Sequence, residues 1–181
     1  MQDIALIGRA RTGKDTVAAH LIAKGFTRVA FADPLKVAAL NINPYVPTTY
    51  GVTVRLQSLI ADVGWEFAKD NYPEVRRLLQ HTGQTVRDID RGFWVRAAMR
   101  VLDDQWQPVV VSDTRYPNEA DALRKRGFRL VRILRPSAGL MTDGASQHSS
   151  ETAMDYYPAD DVIRNDGTLD HLYAQVDALL T

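Results

Sequence analysis

The chain has 181 residues, and its 22 basic and 22 acidic side chains give a formal net charge of zero. The length predicts one domain, and a hydrophobic fraction of 45% suffices for a core without disulfides or a structural metal. The neutral balance argues against direct binding of nucleic-acid polymers, and no apolar run approaches the roughly 20 residues of a membrane span. With no cysteine and no secretory leader, we expect a cytoplasmic protein without membrane contacts.

The first forty residues alternate between strand and helix. The continuous apolar run Ile4-Ala5-Leu6-Ile7 is typical of a strand buried on both faces. A glycine-bounded polar loop follows, and apolar residues then recur at helical spacing until Gly25. Residues 26–31 predict a second strand, and Asp33-Pro34 predicts the cap and first position of another helix.

The middle of the chain differs from this alternation. Residues 41–53 are rich in turn formers and predict irregular structure. From Val54 to Arg100 the apolar residues keep helical spacing, and Pro73, Gly83 and Gly92 divide the stretch into about three helices. Because this stretch carries no strand signal, we predict a helical insertion.

The alternation resumes after residue 105. Residues 109–111, 128–134 and 162–163 predict strands, while residues 117–126 and 169–180 predict helices. Residues 136–150 lack periodicity and predict an exposed loop. Strands alternating with helices indicate an α/β fold of about five parallel strands with helices on both faces. We predict a core of residues 1–40 and 105–181, an insertion of about residues 41–104 and a lid of about residues 135–151.

The strongest chemical signal is a phosphate-binding loop between the first strand and the first helix. Gly8, Gly13 and Lys14 match the spacing G-x-x-x-x-G-K in that context. Glycines let backbone N–H groups turn toward phosphate oxygens, the helix N-terminus adds positive charge, and the lysine reaches the β and γ oxygens. Asp15 stands where a hydroxyl usually meets magnesium, and Thr16 follows. Asp15 either approaches a cation or favours the helix dipole, and the sequence leaves both open.

A second signal lies at the end of the strand over residues 109–111. Asp113 and Arg115 follow this strand, at the edge where open α/β sheets bind ligands. Asp113 is a candidate magnesium ligand or arginine partner, and Arg115 is a candidate phosphate contact. The alternative is a loop that caps the helix beginning at Pro117.

The basic residues are mainly arginines, with 17 Arg against 5 Lys. Arginine binds phosphate in bidentate fashion, although compositional bias explains the count equally well. The insertion carries Arg76, Arg77, Arg87, Arg91, Arg96 and Arg100. They form either a solvated helix face or an anion clamp. Arg135 lies at the start of the predicted lid and suits a charge brought to a transferring phosphoryl group.

Three further candidates are less specific. The segment Asn165-Asp166-Gly167-Thr168 is either a turn with a helix cap or a loop that presents its backbone to a base. His148 lies on the predicted lid, and Trp94 lines either the core or a pocket beside Arg91.

Together these motifs resemble those of the bacteriophage deoxynucleoside monophosphate kinases, in the group of P-loop nucleotide and nucleoside kinases. The resemblance runs through nearly the whole chain and is weakest over residues 41–70. It rests on the loop ending Gly13-Lys14-Asp15-Thr16, Phe31-Ala32-Asp33-Pro34-Leu35-Lys36, Arg77-Leu78-Leu79-Gln80 with Gly83, Trp94-Val95, Val111-Ser112-Asp113-Thr114-Arg115, Arg135-Pro136, His148 with Glu151, and the closing Asn165-Asp166-Gly167-Thr168.

The resemblance implies a three-layer P-loop kinase fold and Mg²⁺-dependent transfer of the ATP γ-phosphoryl group to a deoxynucleoside monophosphate. The implied catalytic residues are Lys14, Arg77, Asp113 and Arg135. The implied ATP site comprises Gly8, Arg11, Thr12, Gly13, Lys14, Asp15, Thr16, Asn165, Gly167 and Thr168. The implied acceptor site comprises Asp33, Lys36, Arg77, Gln80, Trp94, Arg115, His148 and Glu151. Asp15, Thr16 and Asp113 are the candidate Mg²⁺ ligands.

Two other functions stay open from the sequence. One is a different small-molecule kinase of the same architecture, such as a dephospho-coenzyme A kinase. The other is a non-catalytic module that binds nucleoside triphosphates. The leading interpretation makes a placement prediction: Arg77, Arg115 and Arg135 converge on the mouth of the phosphate loop when the lid closes. The sequence also leaves open whether the chain forms a homodimer.

Overall fold

The structure is a computed structural model that describes residues 1–136 and 152–181. Its strands are β1 (Ile4–Ile7), β2 (Thr27–Val29), β3 (Tyr45–Pro47), β4 (Thr53–Arg55), β5 (Val109–Thr114), β6 (Arg129–Leu134) and β7 (Asp161–Arg164). Its helices are α1 (Lys14–Ala23), α2 (Ala32–Ile42), α3 (Leu56–Asn71), α4 (Pro73–Ile89), α5 (Phe93–Asp103), α6 (Pro117–Lys125) and α7 (Leu169–Ala178). The chain divides into two compact units, residues 1–31 with 98–181 and residues 32–97.

The first unit is built on a five-stranded sheet in the order β2-β5-β1-β6-β7, in which every neighbouring pair is parallel. All four residues of β1 are buried, as its unbroken apolar run requires of a central strand covered on both faces. The predicted α/β fold with a five-stranded parallel sheet is therefore confirmed. The carboxyl end of β1, from which the phosphate loop leaves, lies between the ends of β5 and β6.

The core of this unit joins one face of the sheet to two helices. Its buried residues come from four strands, from the apolar faces of α1 and α7, and from Phe26 just before β2. They are Ile4, Leu6, Val17, Ala18, Leu21, Phe26, Val110, Val131, Ile133, Ile163, Leu172 and Val176. Each fully buried Leu or Ile side chain contributes about 1.5–3 kcal/mol. This packing fixes α1, and therefore the loop that precedes it, against the centre of the sheet.

The second unit contains a hairpin that the sequence analysis missed. Residues 41–53 were predicted to be irregular and residues 54–100 wholly helical, but β3 and β4 pair antiparallel with Tyr45 opposite Arg55. The Arg55 guanidinium lies 3.8 Å from the centre of the Tyr45 ring and also donates to the carbonyl of Asn43. These cross-strand contacts stabilise strands that are too short to give an alternating apolar pattern.

The helices of the second unit also differ from the prediction in detail. Gly83 does not end a helix, because it lies inside α4, where an added Cβ would meet the Leu35 side chain at 3.2 Å. The interruption lies instead at Gly64, whose φ of 74° kinks α3. Helix α2 begins at Ala32, so Asp33 occupies its first turn rather than the cap. Close packing of α2 on α4 thus outweighs the helix-breaking tendency of Gly83.

The core of the second unit lies among α2, α3, α4 and the hairpin. Its buried residues are Ala39, Val46, Leu56, Leu59, Ala68 and Val75. This unit begins one helix earlier than the insertion boundary expected near residue 41. Among the described residues of both units, we find no helix with the length and apolar character needed to cross a membrane.

A carboxylate between α1 and α7 makes the stability of the first unit depend on pH. Asp177 Oδ1 lies 2.8 Å from His20 Nε2 and 3.0 Å from Lys24 Nζ. Hydrogen bonds from His20 and then Lys24 lower the pKa of Asp177. A carboxyl whose pKa is lower in the folded state stabilises the fold above its unfolded pKa of about 3.9, and this contribution is lost as the pH falls through the folded-state pKa.

We therefore expect Asp177→Asn to lower the urea midpoint of unfolding at pH 7, and the gap to the unmodified chain to shrink as the pH falls below about 4. Asp104→Asn removes a negative charge from an exposed position and serves as the control. A gap for Asp177→Asn that stays constant from pH 7 to pH 3 would show that the ion pairs do not stabilise the fold.

Candidate active site

The phosphate loop takes the conformation that its glycines allow. Gly8 follows β1 with a φ of 143°, and Gly13 precedes α1 with a φ of 103°. Arg11 also has a positive φ of 60°. At Gly8 an added Cβ would lie 2.5 Å from the carbonyl oxygen of Ile133. The loop therefore passes so close to β6 that only glycine fits at this position.

Lys14 lies within the curve of this loop. Its side-chain amine donates to the carbonyl oxygens of Gly8 and Arg9, both at 2.7 Å. The residue is only 8% exposed, although it is charged and begins a helix. An ammonium group at a helix N-terminus, surrounded by loop backbone, is an arrangement that suits the oxygens of a phosphate chain.

Two contacts fix the turn of the loop before α1. The Thr12 hydroxyl donates to the carbonyl of Arg9 at 3.0 Å, and the Thr12 side chain is buried. The Thr12 carbonyl accepts from Asn165 Nδ2 at 2.9 Å. Asn165 follows β7, which is an edge strand of the sheet. The phosphate loop is therefore tied both to itself and to the segment that follows this edge strand.

Two of the candidate magnesium ligands lie in the first turn of α1, directly after this loop. Asp15 is exposed in the first turn of α1, and Thr16 is half-buried beside it. The N-cap residue of α1 is Gly13, which has no side chain with which to cap the helix. No cluster of three or more His, Cys, Asp or Glu side chains suited to a metal is found among the described residues. Mg²⁺ does not require such a cluster when substrate phosphates and water supply further oxygens, and the oxygens of Asp15 and Thr16 are donors of the type it prefers.

The end of β5 forms a second part of the candidate site. Asp113 Oδ1 accepts from the backbone N–H of Phe31 at 2.8 Å, so this carboxylate joins the ends of β5 and β2. The buried Glu119 carboxylate accepts from the N–H groups of Arg115 and Tyr116, at 2.8 and 3.1 Å. Asp113 and Arg115 are therefore held at the ligand-binding edge of the sheet.

An open cavity lies beside the loop that follows β7. Its volume is about 250 Å³, and it is lined by Arg135, Pro136, Asn165, Asp166 and Gly167. Thr168 is the cap of α7 and accepts from the N–H of His171. The segment 165–168 therefore caps a helix at its end and borders a cavity at its start, and its contact with a base stays a prediction.

The second unit carries most of the acceptor-site candidates. Arg77 is exposed and makes a bidentate ion pair with Glu74, at 2.6 and 2.5 Å. This hydrogen bonding lowers the pKa of Glu74. Asp33 lies 3.6 Å from Lys36, whose amine lies over the Trp65 ring.

Two other candidates in this unit differ in exposure. Gln80 is exposed on α4, whereas Trp94 is buried and donates from its indole N–H to the carbonyl of Gly83. Trp94 therefore packs α5 against α4.

The candidate site residues belong to two different compact units of the chain. The first unit contains the phosphate loop, Asp113, Arg115, Arg135 and the segment 165–168. Asp33, Lys36, Arg77, Gln80 and Trp94 belong to the second unit, whereas His148 and Glu151 lie outside the described residues. The convergence of Arg77, Arg115 and Arg135 stays a prediction.

A family model for deoxynucleotide monophosphate kinases matches residues 50–176, more than half of the chain. The chain belongs to this family. The match begins after the phosphate loop, so the loop geometry and the family assignment are independent observations. The resemblance stated from the sequence motifs is confirmed.

Two relatives show how far the likeness extends. The chain is 30% identical over 112 residues to a deoxynucleotide monophosphate kinase of Escherichia phage RB69, covering 59% of this chain and 44% of that protein. It therefore spans less than half the length of that relative. A putative deoxynucleotide monophosphate kinase of Acanthamoeba polyphaga mimivirus is 28% identical over 190 residues, covering 96% of this chain and 93% of that protein.

A solved structure supports the fold of this family member. The dephospho-CoA kinase of Campylobacter jejuni is similar with a TM-score of 0.52 and 13% sequence identity, covering 99% of this chain and 95% of that chain. At this identity the likeness concerns the fold alone. The predicted three-layer P-loop kinase architecture is confirmed.

Sequence reasoning missed several residues that shape the site. Glu119 stands three residues after Tyr116, a spacing that signals a carboxylate folding back on a helix start. No sequence signal pairs Arg9 of the phosphate loop with Asp155, yet their side chains are 2.5 Å apart. The Arg132 side chain donates to the carbonyls of Met154 and Tyr157, and it thereby holds the segment that begins at residue 152.

Proposed function

We propose that this chain catalyses transfer of the γ-phosphoryl group of ATP to a deoxynucleoside 5′-monophosphate, which yields ADP and the deoxynucleoside diphosphate. The observation that carries the proposal is the loop of residues 8–16 closed around the Lys14 ammonium, in a chain of the deoxynucleotide monophosphate kinase family. The relative from phage RB69 carries the same activity in its name.

The first unit supports a donor site for ATP. The backbone of the loop, the N-terminus of α1 and the amine of Lys14 suit the β and γ phosphates. The cavity lined by Arg135, Asn165 and Gly167 suits the planar base and its sugar, since it adjoins the loop through Asn165. We assign Gly8, Arg11, Thr12, Gly13, Asp15, Thr16 and Thr168 to the same donor site.

The second unit supports an acceptor site. Arg77 is exposed and already aligned by Glu74, and a planar guanidinium can bind the monophosphate in bidentate fashion. Asp33, Lys36 and Gln80 are polar groups for the sugar and base. From the first unit, Arg115 and Asp113 contribute charge and orientation at the sheet edge.

The chemistry requires positioning rather than a general base. The acceptor monophosphate has a second pKa of about 6, so one of its oxygens is anionic at neutral pH. That oxygen forms the new bond to the γ phosphorus, the bond from that phosphorus to the bridging oxygen breaks, and ADP leaves with the electron pair. Lys14, Arg77 and Arg135 then stabilise charge on the transferring group.

Magnesium is implied by the family chemistry, and oxygen donors around the loop suit it. Asp15, Thr16 and Asp113 are the residues that would hold it, directly or through water. When bound, it neutralises negative charge between the phosphates of the nucleotide.

The proposal is tested by a panel of acceptors. The purified chain receives ATP, Mg²⁺ and, one at a time, deoxynucleoside monophosphates, ribonucleoside monophosphates and dephospho-coenzyme A, while ADP is measured. We expect ADP formation that depends on the presence of a deoxynucleoside monophosphate. Turnover with dephospho-coenzyme A alone would favour the related kinase, and ATP binding without turnover would favour a binding module. Both outcomes would contradict the proposal.

The acceptor side gives a sharper prediction. We expect Arg77→Ala to raise KM for the monophosphate about 10- to 100-fold, because the variant loses charge-assisted hydrogen bonds to the phosphate. The KM for ATP should change little. Steady-state kinetics with each substrate varied in turn measure both values.

Arg76→Ala is the matched control. It removes the neighbouring arginine, which donates instead to the Lys69 carbonyl and to Asp70 at the end of α3. Its KM for the monophosphate should stay within about twofold of the unmodified value, the scale of a typical surface substitution. If Arg77→Ala and Arg76→Ala raise this KM equally, the effect belongs to the helix and Arg77 does not bind the acceptor phosphate.

A further inference from the structure

Asn165 joins three parts of the first unit. Its backbone N–H donates to the carbonyl of Leu134 at 2.7 Å, which ties it to the end of β6. Its side-chain nitrogen donates to the carbonyl of Thr12 at 2.9 Å, across 153 positions of sequence. It also lines the cavity beside Arg135.

The side-chain contact is close and has one chemical interpretation. A carbonyl oxygen only accepts hydrogen bonds, so the group that faces Thr12 must be the NH₂ of the amide. At Gly13 an added Cβ would lie 2.4 Å from this nitrogen. The Asn165 side chain therefore lies directly on the peptide that joins Thr12 to Gly13.

This contact controls the direction of a loop N–H group. The described chain has no cis peptide bonds, and in a planar trans peptide the C=O and the following N–H point in opposite directions. Because Asn165 holds the Thr12 carbonyl toward itself, the Gly13 N–H points away from it. Backbone N–H groups at this position of a loop, next to a helix N-terminus, are donors for phosphate oxygens.

We propose that Asn165 is a positioning residue of the phosphate loop, which orients the Gly13 N–H through the Thr12 carbonyl. This inference rests on the proposed ATP site, and it assigns to Asn165 a role in phosphate binding that does not require contact with the base. The loss of this side chain therefore weakens binding of any phosphate chain, with or without a nucleoside.

Inorganic tripolyphosphate distinguishes a role in phosphate binding from a role in contacting the base, because it carries the phosphates of ATP but no base or sugar. Its affinity and that of ATP are measured by calorimetry on the full chain, for the unmodified protein and for Asn165→Ala. We expect this variant to lose about three- to tenfold in affinity, the effect of one hydrogen bond, and by equal factors for the two ligands. A loss for ATP with no loss for tripolyphosphate, or no loss for either, would overturn the proposal.

Gln175→Ala is the matched control for the fold. The Gln175 side chain accepts from the N–H of Arg164 and donates to the carbonyl of Arg164, so it holds the residue next to Asn165. Its tripolyphosphate affinity should equal that of the unmodified chain. An equal loss in Gln175→Ala would mean that loosening of this segment, rather than the Thr12 contact, weakens binding, and would overturn the assignment.

The outcomes also separate this inference from the proposed reaction. An unmodified chain that binds ATP and tripolyphosphate but transfers no phosphoryl group would contradict the kinase proposal and leave the role of Asn165 intact. An unmodified chain that binds neither ligand would overturn both.

Discussion

Replacing Lys14 with alanine is expected to lower kcat about 100- to 1,000-fold, the range observed when one preorganised donor to a developing charge is removed. The Lys14 amine lies inside the loop, where it donates to the carbonyls of Gly8 and Arg9. The measurement is ADP formation at saturating ATP and monophosphate.

Lys24→Ala is the control for this prediction. Lys24 follows the same helix at its other end, where its amine pairs with Asp177 at 3.0 Å. We expect kcat to stay within about twofold, as for surface substitutions in general. A Lys14→Ala variant with near-normal kcat would mean that the loop does not hold the transferring group.

Gly8→Ala is expected to disable the same loop through its backbone. The residue has a φ of 143°, and the new Cβ would lie 2.5 Å from the Ile133 carbonyl oxygen, which is part of a paired strand and cannot easily move. Strain of this kind costs about 1–3 kcal/mol. We expect unfolding in urea to show this loss, and ATP affinity to fall more than about tenfold because the displaced loop no longer fits phosphate.

Gly127→Ala separates conformational strain from the contact with β6. Gly127 has a φ of 85°, but an added Cβ there meets no atom of the described residues within 4 Å. It should lose about 1–2 kcal/mol of stability from its backbone conformation alone and keep its ATP affinity. If Gly8→Ala binds ATP as tightly as Gly127→Ala does, the close approach of Gly8 to the Ile133 carbonyl of β6 is not required for nucleotide binding.

The parts of the fold that the sequence predicted are those with strong local signals. The unbroken apolar run of β1 and the glycine–lysine spacing after it identify the strand, the loop and the helix α1 together. The hairpin of β3 and β4 was missed because each strand has only three residues and is stabilised by a cross-strand contact of Tyr45 with Arg55. Gly83 was misjudged because its packing on Leu35 is invisible in a local pattern.

The residues of the candidate site likewise divide into those with a local sequence signal and those without one. The loop with Lys14 was predicted from residue spacing alone. Asp113 was predicted from its place after residues 109–111, although β5 continues to Thr114 and includes it. The contact between Asn165 and Thr12 spans almost the whole chain, and no local signal predicts it. The bidentate pair of Arg77 with Glu74 lies at helical spacing, but the sequence alone did not distinguish a solvated helix face from a phosphate clamp.

The central claim is that the chain moves a phosphoryl group from ATP to a deoxynucleoside monophosphate. It is tested most directly by incubating the purified chain with ATP labelled at the γ phosphorus and with an unlabelled monophosphate, and then separating the products. The label is predicted to appear in the deoxynucleoside diphosphate, with one ADP formed for each diphosphate. Label recovered only as free phosphate or only as ATP would contradict the account.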